Sequence, residues 1–140
     1  MVVPKIKVSS AILRLSDKYI LQLRDDRPGI AARGQWSLFG GGIDSGETPL
    51  EAVKRELFEE LSIRPDSFRF LWRKDYYYDF VKDTIRAWFF SSNVDSVWGT
   101  HKLSEGKAVG AFSFKDLKDL DMPEAIRQAL TRYHLMEIRT

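Results

Sequence analysis

From Ile6 to Leu15 the chain is dominated by branched apolar residues, and a second apolar run, Tyr19 to Leu23, follows a short Ser-Asp-Lys turn; the pair predicts a β-hairpin. Arg24 to Gly34, with Asp25, Asp26, Pro28, Gly29 and three arginines, has neither period and reads as a long loop of the kind that often carries function. The clearest boundary comes next. Thr48 can cap a helix, Pro49 suits its first position, and Glu51 completes a Thr-x-x-Glu capping box. Pro65 keeps Arg64 out of the helical region, so this helix ends near Leu61 or Ser62. Phe68 to Tyr77 and Thr84 to Ser92 are aromatic and β-branched, predicting two strands joined by a turn around Lys82 and Asp83. Val109 to Phe114 predicts a further strand. From Pro123 to Met136, Ala125, Ile126, Ala129, Leu130 and Tyr133 recur at helical spacing, which predicts a closing amphipathic helix. Strands, helix, strands and helix in this order argue for an α+β layered fold, and the absence of repeats or low-complexity tracts for one domain over residues 1–140.

Composition narrows the chemistry. A chain of 140 residues can bury a sizeable core without staples, and zero cysteines exclude disulfides, thiolate zinc sites and a cysteine nucleophile together. Any metal must sit on oxygen or histidine. Twenty-two basic against 20 acidic residues leave a net charge of +2, too weak and too evenly spread for a nucleic-acid groove. No apolar run approaches the roughly 18 residues of a membrane span, and no signal peptide is evident, so a cytoplasmic protein without a membrane partner is expected. Oligomeric state is left open, a homodimer included.

The informative stretch is GGGIDSGETPLEAVKRELFEELSI, from Gly40 to Ile63. Three successive glycines allow a sharp turn or a carbonyl pointed at a ligand. Gly41 and Gly46 have P-loop spacing, but Glu47 stands where a lysine must reach phosphates, and Ser45 replaces the last glycine of a dinucleotide fingerprint. At about 100° per helical residue, Glu56, Glu59 and Glu60 share one arc, beside an apolar arc of Leu50, Val53, Leu57 and Leu61. Clustered glutamates usually mark a solvated face. Glu56 and Glu60 nevertheless repel at i,i+4, and a hard divalent cation would offset that repulsion. Arg55, one turn before Glu59, can hold that carboxylate in place.

Gly41, five residues, Glu47, seven residues and then Arg55-Glu56-Leu57-Phe58-Glu59-Glu60-Leu61-Ser62-Ile63 together resemble the signature of the Nudix hydrolase family. The resemblance implies an α/β/α sandwich around a mixed sheet. It also implies hydrolysis of a nucleoside diphosphate linked to another group, with Mg²⁺ or Mn²⁺ as cofactor and a small nucleotide as substrate; a nucleoside triphosphate or nucleotide sugar is expected. Alternatives are a catalytically silent nucleotide-sensing module and a dinucleoside polyphosphate hydrolase. Carried over by position, Glu56, Glu59 and Glu60 would be metal ligands with the Gly40 carbonyl, Arg55 would orient Glu59, and Glu47 would tie the loop to the helix. Glu105, in Ser104-Glu105-Gly106, is the candidate distal ligand or base. The family usually has glycine where Ser62 stands, so a slightly altered turn is expected there.

Other residues are weaker candidates. Trp36, Phe39, Arg27 and Arg33 could approach a base or phosphate, although aromatics beside a motif are more often core. Of Tyr76, Tyr77 and Tyr78, only the first and last share a strand face. His101 and His134 lack the companions of a metal site, and no Gly-x-Ser-x-Gly elbow exists.

Overall fold

The computed structural model of the chain describes residues 3–104 and 106–138. The hairpin forms as expected: β1 (Ile6–Leu15) and β2 (Lys18–Leu23) pair antiparallel with Leu13 opposite Ile20. β1 is the axis of a seven-stranded mixed sheet. Along one edge it pairs in parallel with β6 (Asp83–Asn93), whose outer edge carries the antiparallel β5 (Arg69–Tyr78). β1 also pairs antiparallel with β2 through Leu13–Leu15 and with β4 (Phe39–Gly42) through Val8–Ala11, while β3 (Trp36–Ser37) and β7 (Ala108–Phe112) flank β2.

Strand alternation distributes the core to both faces. Ile12, Tyr19, Leu21, Ala87 and Phe89 pack towards α2 (Glu124–Glu137), which contributes Ala129, Leu130 and Tyr133. Ala11, Leu13, Ile20, Phe39 and Phe90 pack towards α1 (Pro49–Leu61), which contributes Val53, Leu57 and Leu61. The result is the expected three-layer α/β/α sandwich. Leu50, assigned above to the apolar arc, is instead exposed. Among the described residues no helix is long and apolar enough to cross a membrane.

The start of α1 follows from its sequence: the Thr48 side chain accepts from Glu51 N–H, and the Glu51 side chain accepts from Thr48 N–H. At its end Ser62 takes the left-handed conformation (φ 58°, ψ 32°) and donates its N–H to Phe58 O. Ser62 thus takes up the left-handed cap conformation itself. Two further carbonyls at this end are capped from a distant segment, Glu60 O by Ser104 N–H and Leu61 O by Lys102 N–H.

Two expectations need correction. The last predicted strand stops at Phe112, and Phe114–Asp119 form 3-10 turns instead. More importantly, Gly40–Gly42 do not form a turn: they are strand β4, with Gly40, Gly41 and Gly42 opposite Ser10, Ser9 and Val8. Glycine weakens strands, so pattern alone reads a turn; here the ladder with β1 imposes the extended path and the glycines allow close approach. A Cβ on Gly40, whose φ is 141°, would sit 2.1 Å from Ser9 O, and one on Gly41 would sit 2.7 Å from the Glu56 carboxyl carbon.

Gly40→Ala should therefore lower stability by more than about 1 kcal/mol, since both φ and the Ser9 backbone oppose a side chain. Thr48→Ala, which removes a cap only, should cost about 1 kcal/mol. Urea denaturation of both variants checks the order; an alanine at 40 that unfolds at the wild-type midpoint would contradict the close approach.

Candidate active site

α1 and β4 bring three glutamates and one arginine to the edge of the glycine strand. Glu59 is half exposed, Glu56 is mostly covered, and Glu60 is only 2% exposed. The expectation of a uniformly solvated acidic face thus fails at Glu60, which turns inward between β4 and β2. Its Oε1 accepts Gly40 N–H at 3.0 Å, and its Oε2 accepts Gln22 Nε2–H at 3.3 Å. A buried carboxylate needs such donors, because desolvation without them costs several kcal/mol.

Arg55 gathers the remaining carboxylates. Its Nε and one terminal nitrogen donate to both oxygens of Glu47 at 2.7 and 3.0 Å, and that second nitrogen also reaches Gly42 O at 3.0 Å. Its other terminal nitrogen donates to Glu56 at 3.0 Å and to Glu59 at 3.3 Å. Asp44 lies 3.5 Å from the guanidinium, and Glu47 also accepts Asp44 N–H, so the loop between β4 and α1 is tied to the helix through this one side chain. The paired Arg55, followed by Asp44 N–H, holds the Glu47 carboxyl below its usual value of 4.5.

Beside this cluster lies a cavity of about 250 Å³. Gly40 and Gly41 form the wall it shares with the glutamates; Ala31, Ala32 and Arg24 line it from the 24–34 loop, and Tyr76 and Tyr78 from β5. Burial pushes the Tyr76 phenol up to about 12 and raises Tyr78 as well, so both are neutral hydroxyls at neutral pH. The weaker candidates divide accordingly. Tyr76 and Tyr78 reach the cavity together, whereas Phe39 is fully buried core and Trp36 packs edge-on against Phe112 at 4.8 Å. Arg27 and Arg33 pair with Asp25 and Asp26. His101 stacks on Trp98 and His134 on Phe114, both at 3.7 Å, as packed rings.

Glu105 lies outside the described residues. Its neighbours are anchored near Glu60, since Ser104 N–H donates to Glu60 O and a Cβ on Gly106 would stand 3.3 Å from Gln22 Oε1. Gln22 itself escaped the sequence reading. Its signal was a single amide inside the apolar run Tyr-Ile-Leu-Gln-Leu, on a strand buried on both faces.

Among the described residues no three acidic or histidine side chains stand close enough to hold a metal ion as they are. The donor set still suits a hard divalent cation: all candidate ligands are oxygens, and Gly41 leaves a cradle over the Glu56 carboxylate that a side chain would fill. Arg55 occupies the space between Glu56 and Glu59, so ligation would require those two carboxylates to turn from it.

The model of the NUDIX domain matches residues 5–133. The chain belongs to the NUDIX family. It is 31% identical over 115 residues to nucleoside triphosphatase NudI of Enterobacter sp. (strain 638), covering 74% of this chain and 79% of that one. It is 41% identical over 57 residues to an RNA pyrophosphohydrolase of Francisella tularensis subsp. mediasiatica (strain FSC147), a match spanning 39% of this chain and 37% of that relative's length. Among solved structures, the MutT protein of Methanosarcina mazei Go1 superposes with a TM-score of 0.80 over 98% of each chain at 21% identity, a likeness of fold.

One contribution to the pH dependence of stability comes from Glu47. A carboxyl whose folded value is depressed contributes stability that is present above its unfolded value, near 4.5, and is lost as pH falls through the lower folded one. Wild type should therefore lose more stability than Glu47→Gln between pH 6 and pH 3, read by thermal denaturation at each pH; parallel losses would contradict the pairing.

Proposed function

We propose that this Nudix hydrolase splits the pyrophosphate bond of a nucleoside diphosphate linked to another group, a nucleoside triphosphate or a nucleotide sugar, with Mg²⁺ or Mn²⁺. The observation that carries this reading is the shared wall: Gly40 and Gly41 border both the glutamates of α1 and a cavity with two neutral tyrosines and an arginine. A nucleoside held in the cavity would present its phosphates across the glycine strand, where no side chain intervenes. The name of the NudI relative, a nucleoside triphosphatase, supports the same substrate class.

Charge explains the need for a cation. Asp44, Glu47, Glu56 and Glu59 surround the single guanidinium of Arg55, an excess of acid that would repel a polyphosphate. Glu56, Glu59 and Glu60, with the Gly40 carbonyl, would hold a divalent cation that neutralises the phosphate oxygens and makes phosphorus easier to attack. The chain's own groups do the rest. Gly40 N–H and Gln22 fix the Glu60 carboxylate, Arg55 sets the positions from which Glu56 and Glu59 would turn to the cation, and one carboxylate takes the proton of the attacking water as the new P–O bond forms and the bridging P–O bond breaks. Glu105 is the candidate for that base or for a distal ligand. A silent sensing module would bind the same nucleotides without turnover.

Phosphate or pyrophosphate release from a panel of nucleotides should require Mg²⁺ and stop with excess chelator; turnover that survives chelation would overturn the cation. Glu60→Gln should lower the rate at least about 100-fold. An amide at 60 also has one acceptor for two N–H donors, so some stability is lost too, and rates must be compared at equal folded fraction by circular dichroism.

Glu105→Gln should reduce kcat more than it raises KM, because a base or distal ligand acts mainly on the transition state. An exposed bystander would change both by less than about 0.5 kcal/mol. Steady-state kinetics on the best substrate separates the two.

A further inference from the structure

Gln22 lies in the middle of β2 and is 2% exposed. The orientation of its amide is dictated by its surroundings. One end faces two acceptors, Leu38 O at 2.9 Å and Glu60 Oε2 at 3.3 Å, so that end must be the NH₂ group; a flipped amide would set oxygen against a carbonyl and a carboxylate. The other end, Oε1, is buried without a hydrogen-bond partner among the described residues and lies against Gly106. An amide whose acceptor finds no partner among the described residues is a poor choice for packing alone, since a buried polar atom without a partner opposes folding. Something other than core filling accounts for glutamine here. What its nitrogen does is hold one oxygen of Glu60 while Gly40 N–H holds the other, which fixes the plane of that carboxylate from two strands at once.

We infer that Gln22 is a positioning residue for the metal-binding carboxylate: through its Nε2–H bond it pre-orients Glu60 for a divalent cation. This inference rests on the reading of Glu60 as a ligand. Gln22 also lines the cavity proposed for the nucleoside, and its action on the cation would run through Glu60. The same side chain packs against the segment carrying Ser104 and Gly106, which is itself bonded to Glu60 O and, through Lys107 N–H, to Leu23 O. Gln22 thus stands between the helix ligand and the segment that bears Glu105.

The test is a Mn²⁺ titration of the full chain by calorimetry, without nucleotide, on wild type, Glu60→Gln and Gln22→Met. Methionine keeps the length and bulk of glutamine and removes the donor. The dissociation constant of Gln22→Met should rise at least about tenfold with circular dichroism unchanged. Its kcat at low Mg²⁺ should fall and recover as Mg²⁺ is raised. Wild-type Mn²⁺ affinity in a folded Gln22→Met overturns the inference and leaves the proposed function standing. A wild-type chain that binds no Mn²⁺ overturns both. Should Gln22→Met fail to fold, the side-chain amide resonance of Gln22 in wild type decides: a shift in step with Mg²⁺ saturation supports the inference, and a resonance that stays in place overturns it.

Discussion

The burial of the Glu60 carboxylate is the constraint from which the rest of the site follows. A carboxyl side chain that is 2% exposed needs hydrogen-bond partners, and Gly40 N–H and Gln22 Nε2–H reach it from different strands. For the first to arrive, β4 must lie against α1. That approach excludes a Cβ at Gly40, where Ser9 O stands in the way, and at Gly41, where the Glu56 carboxylate does. For the second, β2 must present a polar residue into a layer otherwise filled by Ile20, Phe39 and Leu57. The register of β4 on β1 is therefore a condition for burying Glu60 with a donor on its Oε1.

Arg55 matters through geometry more than through stability. Partly exposed ion pairs contribute on the order of 0–1 kcal/mol each, and Arg55 shares its charge among several acids. A planar fork that grips both oxygens of Glu47 and the Gly42 carbonyl can have only one position, so its remaining nitrogen sets where Glu56 and Glu59 begin. A lysine could match the charge but not the fork.

The outline of the fold was readable because its signals are local. The capping box of Thr48 and Glu51, the apolar runs of β1 and β2, and the helical spacing around Ala129 and Leu130 each depend on neighbours in sequence. What escaped reading depends on partners far away. Gly40–Gly42 look like a turn until β1 pairs with them. Glu60 sits on the border between the acidic and apolar arcs of α1, and only the arrival of β4 and Gln22 decides that it faces inward. Tyr76 and Tyr78 were correctly placed on one face by alternation, but that this face meets the 24–34 loop required the β1–β6 register to bring Ile85 level with Ile6.

The same division explains why the family can be read from the chain and the substrate cannot. The carboxylates, Arg55 and the glycines form one short stretch on α1 and β4, so their spacing survives as a pattern in sequence. The cavity is assembled from the 24–34 loop, β1, β5, β6 and the entry to α2, with Arg24, Tyr78 and Ala125 more than 40 residues apart from one another. Only Gly40 and Gly41 among the motif residues touch both halves. The tyrosines and the 24–34 loop touch neither Glu60 nor Arg55, and the two halves meet at the backbone of Gly40 and Gly41 and at the Gln22 side chain, which lines the cavity and donates to Glu60. The sequence therefore advertises the half that is contiguous, and Gln22, the side chain that joins the halves, lies outside it.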